Sequence, residues 1–197
     1  MMLYLHGFRS SPSSFKAQML ADAYATRGLG EQWRCPQLPA SPKAALALAH
    51  AQADELLATT GQSAKELTVG GSSLGGFYAI ALAQALGCRA VLINPAVAAP
   101  RDLATQIGEH TLYHSDEPMT FKPEYVDELA AMSVPAITEP DRYLLIAATG
   151  DEVLDWREMV AFMPDAHHII VPGSDHGLSN FETYMPRVLA FAGVPTP

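Results

Sequence analysis

Leu67-Thr68-Val69-Gly70-Gly71-Ser72-Ser73-Leu74-Gly75-Gly76-Phe77 carries a short apolar run of β type, ending at Val69, across a cluster of glycines and serines into an apolar helical pattern that stops at Gly87. Gly71-Ser72-Ser73-Leu74-Gly75 fits G-x-S-x-G, in which a serine is held on a sharp strand-to-helix turn. Such a turn brings neighbouring backbone so close that the positions two before and two after the nucleophile must lack a Cβ. That requirement selects Ser73 over Ser72, because Leu74 stands two residues after Ser72. A random chain of this length shows the bare motif roughly one time in fifteen, so its surroundings have to decide.

Outward from the motif, short β-type runs alternate with helical patterns along the chain. The expected strands are Met2 to Leu5, Trp33 to Cys35, Leu67 to Val69, Ala90 to Ile93, Tyr143 to Ala148 and His168 to Val171. Between and after them lie expected helices at Ser14 to Arg27, Pro42 to Thr60, Phe77 to Leu86, Asp155 to Phe162 and Phe181 to Phe191, several with a serine before them and a glycine after. This alternation predicts an α/β chain with a doubly wound, mostly parallel sheet of about six strands, helices on both faces, and ligands beyond the carboxyl ends of the strands. The stretch from Asn94 to Asp141 holds no convincing strand, and insertions of that length are usually lids or binding loops. A small helical cap at about 98–140 is the expectation, with Tyr113, Phe121 and Tyr125 as substrate-binding candidates.

Two more strand ends supply partners for Ser73. The run Tyr143 to Ala148 leads into Thr149-Gly150-Asp151, and the run His168 to Val171 leads into Gly173-Ser174-Asp175-His176-Gly177. In the order serine, aspartate, histidine, His176 is placed to take the Ser73 proton and Asp151 to orient the ring. Asp155 is expected to cap a helix, and Asp175 adjoins His176 too closely in sequence to hold its ring. Leu5-His6-Gly7-Phe8 ends the first strand where half of an oxyanion hole is expected, with the backbone N–H groups of Phe8 and Leu74 as donors. His6 is expected to brace that loop through hydrogen bonds.

The remaining composition narrows the partners. The chain has 197 residues, is 49% apolar and 17% charged, and carries a formal charge of −9, which is the balance of one globular domain and not of a nucleic-acid binder. Cys35 and Cys88 lack neighbours at metal-ligand spacing, so no metal and no organic cofactor are expected. No run approaches the length of a membrane span, and Met1 to Leu5 has no basic region of a signal peptide, so membrane insertion is not expected and the cytoplasm is the expected location. Oligomeric state is left open.

Taken nearly end to end, the chain resembles the YqiA-type small bacterial esterases of the α/β-hydrolase superfamily. The resemblance rests on Leu3-Tyr4-Leu5-His6-Gly7-Phe8 with Ser10-Ser11-Pro12, on Pro36-Gln37-Leu38-Pro39, on Val69 to Gly76, on Asn94-Pro95-Ala96-Val97 and on Thr149 to Asp155. It implies an α/β-hydrolase fold and hydrolysis of short-chain acyl esters, small-molecule substrates, through Ser73, Asp151 and His176. Little aligns between Ala98 and Pro140, so acyl preference is not implied. Two rival readings are an acyl-CoA thioesterase with the same residues, which needs a basic patch for the CoA phosphates, and a non-catalytic binding protein that keeps the fold.

Overall fold

The computed structural model describes residues 1–195. Its central sheet has six strands: β1 Met2–Leu5, β2 Trp33–Arg34, β3 Thr68–Ser72, β4 Arg89–Ile93, β7 Tyr143–Ala148 and β8 His167–Val171. They lie in the order β2-β1-β3-β4-β7-β8, and every adjacent pair is parallel. Alternation along each strand divides the core. Leu3, Leu5, Val69, Leu92 and Leu145 face one layer, while Met2, Tyr4, Val91, Ile93 and Ile146 face the other. Strands buried on both faces in this way read as continuous apolar runs, which is why they were legible in sequence.

The helices α1 Phe15–Ala25 and α7 Phe181–Phe191 cover the second layer, through Leu20, Tyr24, Phe181 and Val188. The helices α2 Pro42–Thr60, α3 Leu74–Leu86 and α6 Trp156–Phe162 cover the first, through Ala49, Leu56, Phe77, Ile80 and Met159. The chain leaves β1 toward β2 on one side and returns to β3 on the other, so the strand order reverses between β1 and β3. Ligands in open α/β sheets sit at such a switch point, beyond the carboxyl ends. Here those ends deliver the His6-Gly7 loop and Ser73.

The segment between β4 and β7 differs from the expected helical cap. It contains α4 Ala99–Leu103, α5 Glu124–Ala131 and, between them, an antiparallel pair, β5 Gly108–Thr111 with β6 Pro118–Phe121. These strands are four residues each, with half-exposed patterns and no tight-turn signal in the connection, so neither alternation nor turn chemistry announces them. They are fixed by docking. The Phe8 ring meets His110 and Phe121 edge-on at centroid distances of 5.3 and 5.4 Å. Arg9 Nε donates to Thr111 O at 2.7 Å, and Tyr113 N–H donates to Arg9 O at 2.8 Å. At the other end, Glu128 of α5 accepts from Ser41 Oγ and from Lys43 N–H, satisfying the first turn of α2.

Phe121 is 1% exposed and belongs to the first-layer core. Truncating a fully buried phenylalanine costs about 3–5 kcal/mol. Phe121→Ala should therefore lower Tm by roughly 10 °C in scanning calorimetry, and a shift of only a degree or two would mean that the hairpin is not part of the cooperative core.

Candidate active site

The turn between β3 and α3 is dictated by what it cannot hold. A Cβ on Gly71 would lie 2.2 Å from Gly75 O, and one on Gly75 would lie 1.9 Å from Leu5 O. No side chain fits either position without moving backbone. Between them Ser73 has φ 55° and ψ −122°, a conformation that costs a residue with a Cβ on the order of 1–3 kcal/mol. The turn thereby lifts Ser73 Oγ out of the strand line. Gly7 completes the enclosure: a Cβ there would be 3.3 Å from both Ser72 O and Ser73 Cβ.

Ser73, His176 and Asp151 come together in a hydrogen-bonded row. Ser73 Oγ and His176 Nε2 are 3.0 Å apart, and His176 Nδ1 and Asp151 Oδ2 are 2.7 Å apart. A carboxylate only accepts, so Nδ1 carries the ring proton and donates to Asp151, leaving Nε2 to accept from the Ser73 hydroxyl. The Asp151 side chain is fully buried, and its other oxygen, Oδ1, accepts from Val153 N–H and Leu154 N–H at 2.8 Å each. Neither neighbouring carboxylate reaches the ring. Asp155 Oδ1 accepts from Arg157 N–H at the start of α6, and Asp175 accepts from Ser179 N–H and Ser179 Oγ, which hold its carboxyl below the usual range.

The loop Leu5 to Phe8 is braced by His6. Leu38 N–H donates to His6 Nε2 at 3.0 Å, which puts the ring proton on Nδ1, where it donates to Gly7 O at 3.0 Å. Burial lowers the His6 pKa and keeps the ring in this neutral, accepting form. Among the described residues, neither Phe8 N–H nor Leu74 N–H has a hydrogen-bond partner within the protein. Phe8 follows Gly7, which abuts Ser73, and Leu74 follows Ser73 directly.

Ser73 and His176 open into a cleft of about 820 Å³, a size that suits a small organic ligand. One side is formed by Leu103, Thr105, Gln106 and Tyr113, of which Tyr113 is 64% exposed and lies against the Arg9 guanidinium. Phe121 and Tyr125, expected as substrate-binding residues, do not line it. Phe121 is buried beneath Phe8, and the Tyr125 ring packs edge-on against Phe121 at 5.5 Å, because β6 and α5 turn their aromatic side chains toward the first-layer core. Val153 and Leu154 line the cleft and had no signal in sequence beyond their place after Asp151.

Asn94 is the positioning residue that pattern reading missed. It is fully buried at φ 42° just past β4. Its Oδ1 accepts from Ala148 N–H at 2.8 Å, and its Nδ2 donates to His176 O at 2.8 Å and to Asp175 O at 3.3 Å, so it ties the β7 end to the histidine loop. Glu152 adds a second tie by accepting from His176 N–H at 3.0 Å. A buried asparagine beside a strand end was the available signal, since such a side chain needs several partners.

The architecture and the strained turn that carries Ser73 between β3 and α3 define the chain as a protein of the α/β-hydrolase fold. It belongs to the uncharacterised protein family UPF0227, the YqiA family, which matches residues 1–193. Among solved structures it is similar to the esterase domain of a Rhodothermus marinus protein, with 20% identity, a TM-score of 0.68, and 97% of this chain and 85% of that one covered. It is similar to mouse alpha/beta hydrolase domain-containing protein 10, with 16% identity, a TM-score of 0.66, and coverage of 96% and 89%. A third similar structure is a monoacylglycerol lipase from Paleococcus ferrophilus, with 15% identity, a TM-score of 0.62, and coverage of 98% and 93%. Identities this low speak for the fold alone. Among the described residues no helix is long and apolar enough to cross a membrane.

Asn94→Ala strands the buried Ala148 N–H and the His176 carbonyl, while Asp175 O keeps its bond from Leu178 N–H, and it leaves alanine at a positive φ. Each unsatisfied buried group costs about 1–3 kcal/mol, so urea denaturation should register a loss of about 3 kcal/mol. A change within experimental error would mean that the histidine loop does not depend on this side chain.

Proposed function

We propose that this chain is a serine hydrolase that cleaves short-chain carboxylic esters, with Ser73 as nucleophile, His176 as general base and Asp151 as the orienting acid. The observation that carries the reading is the unbroken hydrogen-bonded row from buried Asp151 through His176 to Ser73 Oγ on a strained turn. A structural turn has no need of a histidine and a buried carboxylate in series behind its serine. Ser73 attacks the acyl carbon as His176 Nε2 takes its proton; the carbonyl oxygen becomes an oxyanion and receives the N–H groups of Phe8 and Leu74. The imidazolium, stabilised by Asp151, returns the proton to the leaving alkoxide, and the acyl group stays on Ser73 Oγ. Water then repeats the sequence, releasing the acid and restoring the hydroxyl.

In this reading the chain acts as one α/β-hydrolase domain, and the segment 98–140 is its cap, since Leu103, Thr105, Gln106 and Tyr113 shape one side of the cleft. The esterase and lipase named among the similar structures are consistent with a small ester as substrate.

Incubation with a fluorophosphonate probe is the direct test: wild type should be labelled and Ser73→Ala should not. Equal labelling of both, or of neither while folded, ends the serine-hydrolase reading.

The acid is tested separately. Asp151→Asn should lose about 10⁴ in kcat, because the ring is left in the wrong tautomer, while staying folded. Asp155→Asn and Asp175→Asn should lose less than tenfold, since one caps α6 and the other holds Ser179. A larger loss in either would assign the acid elsewhere.

A further inference from the structure

Lys16 stands on the first turn of α1 and is only 7% exposed, yet it lines the cleft beside Ser10, Ser14, His176 and Gly177. Its Nζ donates to Gly177 O, the carbonyl next to the histidine, and lies 4.7 Å from the centre of the Phe15 ring. An ammonium has more N–H groups than one carbonyl can accept. Among the described residues no carboxylate comes within the 4.0 Å of an ion pair with it. Asp175 is near enough to favour the charge, but its oxygens are engaged by Ser179. Burial outweighs that help and pushes the Lys16 ammonium down to about 8.

A buried cation with no anion beside it is expensive. Holding a carbonyl does not require one, since a glutamine amide would serve. The other cation of the cleft, Arg101, is paired with Asp102 and Glu158, while Glu152 accepts from His176 N–H and makes no ion pair with Lys16. The Ser14 side chain makes no cap bond to α1, so the first-turn N–H groups beside Lys16 also lack that partner. Asp175 acts on Lys16 through space without bonding to it, so a directly bonded anion for the remaining Nζ donors has one place from which to come, the space of the cleft itself.

We infer that Lys16 is a specificity-determining residue, whose ammonium binds a carboxylate carried by the substrate, so that anionic esters are preferred over neutral esters of the same size. This rests on the esterase reading above. The carboxylate completes the donor set of Nζ with a charge-assisted hydrogen bond in a place already shielded from water, and the Ser10 and Ser14 hydroxyls border the same pocket. The overall charge of −9 opposes anions at long range, and salt screens that field within about 8–10 Å, so the local cation governs what the cleft retains.

The test compares kcat/KM for matched pairs: monoethyl succinate against ethyl pentanoate, for a carboxylate on the acyl side, and 4-acetoxybenzoate against its methyl ester, for one on the alcohol side. Wild type should favour the anionic member of at least one pair. Lys16→Gln, which keeps an N–H donor for Gly177 O, should lower that anionic-to-neutral ratio by roughly tenfold or more, and Lys16→Arg should lower it less. If wild type shows no anionic preference in either pair, or if Lys16→Gln slows both members equally, Lys16 only positions the histidine loop and the inference is overturned. Absence of Ser73-dependent hydrolysis of the neutral esters by wild type would instead remove the esterase reading, and this one with it.

Discussion

The carbonyl oxygen of Leu5 would lie 1.9 Å from a Cβ on residue 75, and Gly75 O would lie 2.2 Å from one on residue 71. Strand β1, strand β3 and the first turn of α3 therefore meet backbone against backbone, at a separation only glycine permits. Much else follows from this contact. It sets the angle at which α3 leaves the sheet, forces Ser73 into a strained conformation, and brings the His6-Gly7-Phe8 loop against the serine. Because α3 is buried along most of its length, from Leu74 to Ala83, packing supplies what the turn costs. The strain is held by the core rather than by the site.

Around that fixed point the polar groups form a connected network whose members fix one another. Asp151 is oriented by two backbone N–H groups, His176 by Asp151, and the backbone on either side of His176 by Asn94, Glu152 and Lys16. Such a network rigidifies a site when every buried member is satisfied. Asn94 reaches that condition by spanning from β7 to the histidine loop, which makes the relative position of the strand ends that carry Asp151 and His176 a matter of three hydrogen bonds rather than of loop stiffness. Lys16 departs from the condition, since its ammonium has one bonded acceptor, Gly177 O, and lines the cleft.

What could be read from the sequence was what depends on local pattern. Strands β1, β4 and β7 were legible because apolar runs buried on both faces leave continuous signatures, half-buried β2 and partly exposed β8 because short β-type runs recur between helical patterns, and the ends of α2 and α3 because Gly61 and Gly87 adopt φ of 66° and 68°. The meeting of Ser73, His176 and Asp151 could be anticipated because each lies in the loop that leaves the carboxyl end of a strand, Ser73 directly after β3 and Asp151 and His176 a few residues beyond β7 and β8. Strand β3 runs on to Ser72 where the expectation stopped at Val69, since glycines carry no β signal even when their backbone pairs with β1 and β4. The hairpin β5–β6, the buried orientation of Phe121 and the span of Asn94 were not legible, because each is decided by a partner distant in the chain. Phe121 looks like a pocket aromatic until Phe8 is placed against it.

The same distinction separates what the two parts of the molecule can tolerate. Asp151 and Asn94 are fully buried in positions where a change of one atom leaves a donor or acceptor unpaired, so the chemistry-bearing edge of the sheet has little room to vary. Tyr113, Thr105 and Gln106 line the cleft from the segment between β4 and β7 and are largely or partly solvent-exposed. That segment is anchored at separate points, by Phe121 beneath Phe8, by Arg9 to Thr111 and Tyr113, and by Glu128 at α2. Residues between the anchors make none of the hydrogen bonds that hold the sheet edge, and they lie in the stretch Ala98 to Pro140, which carries none of the motifs of the family resemblance. A changed wall of the cleft is therefore compatible with an unchanged floor, which the glycine contact under Ser73 fixes.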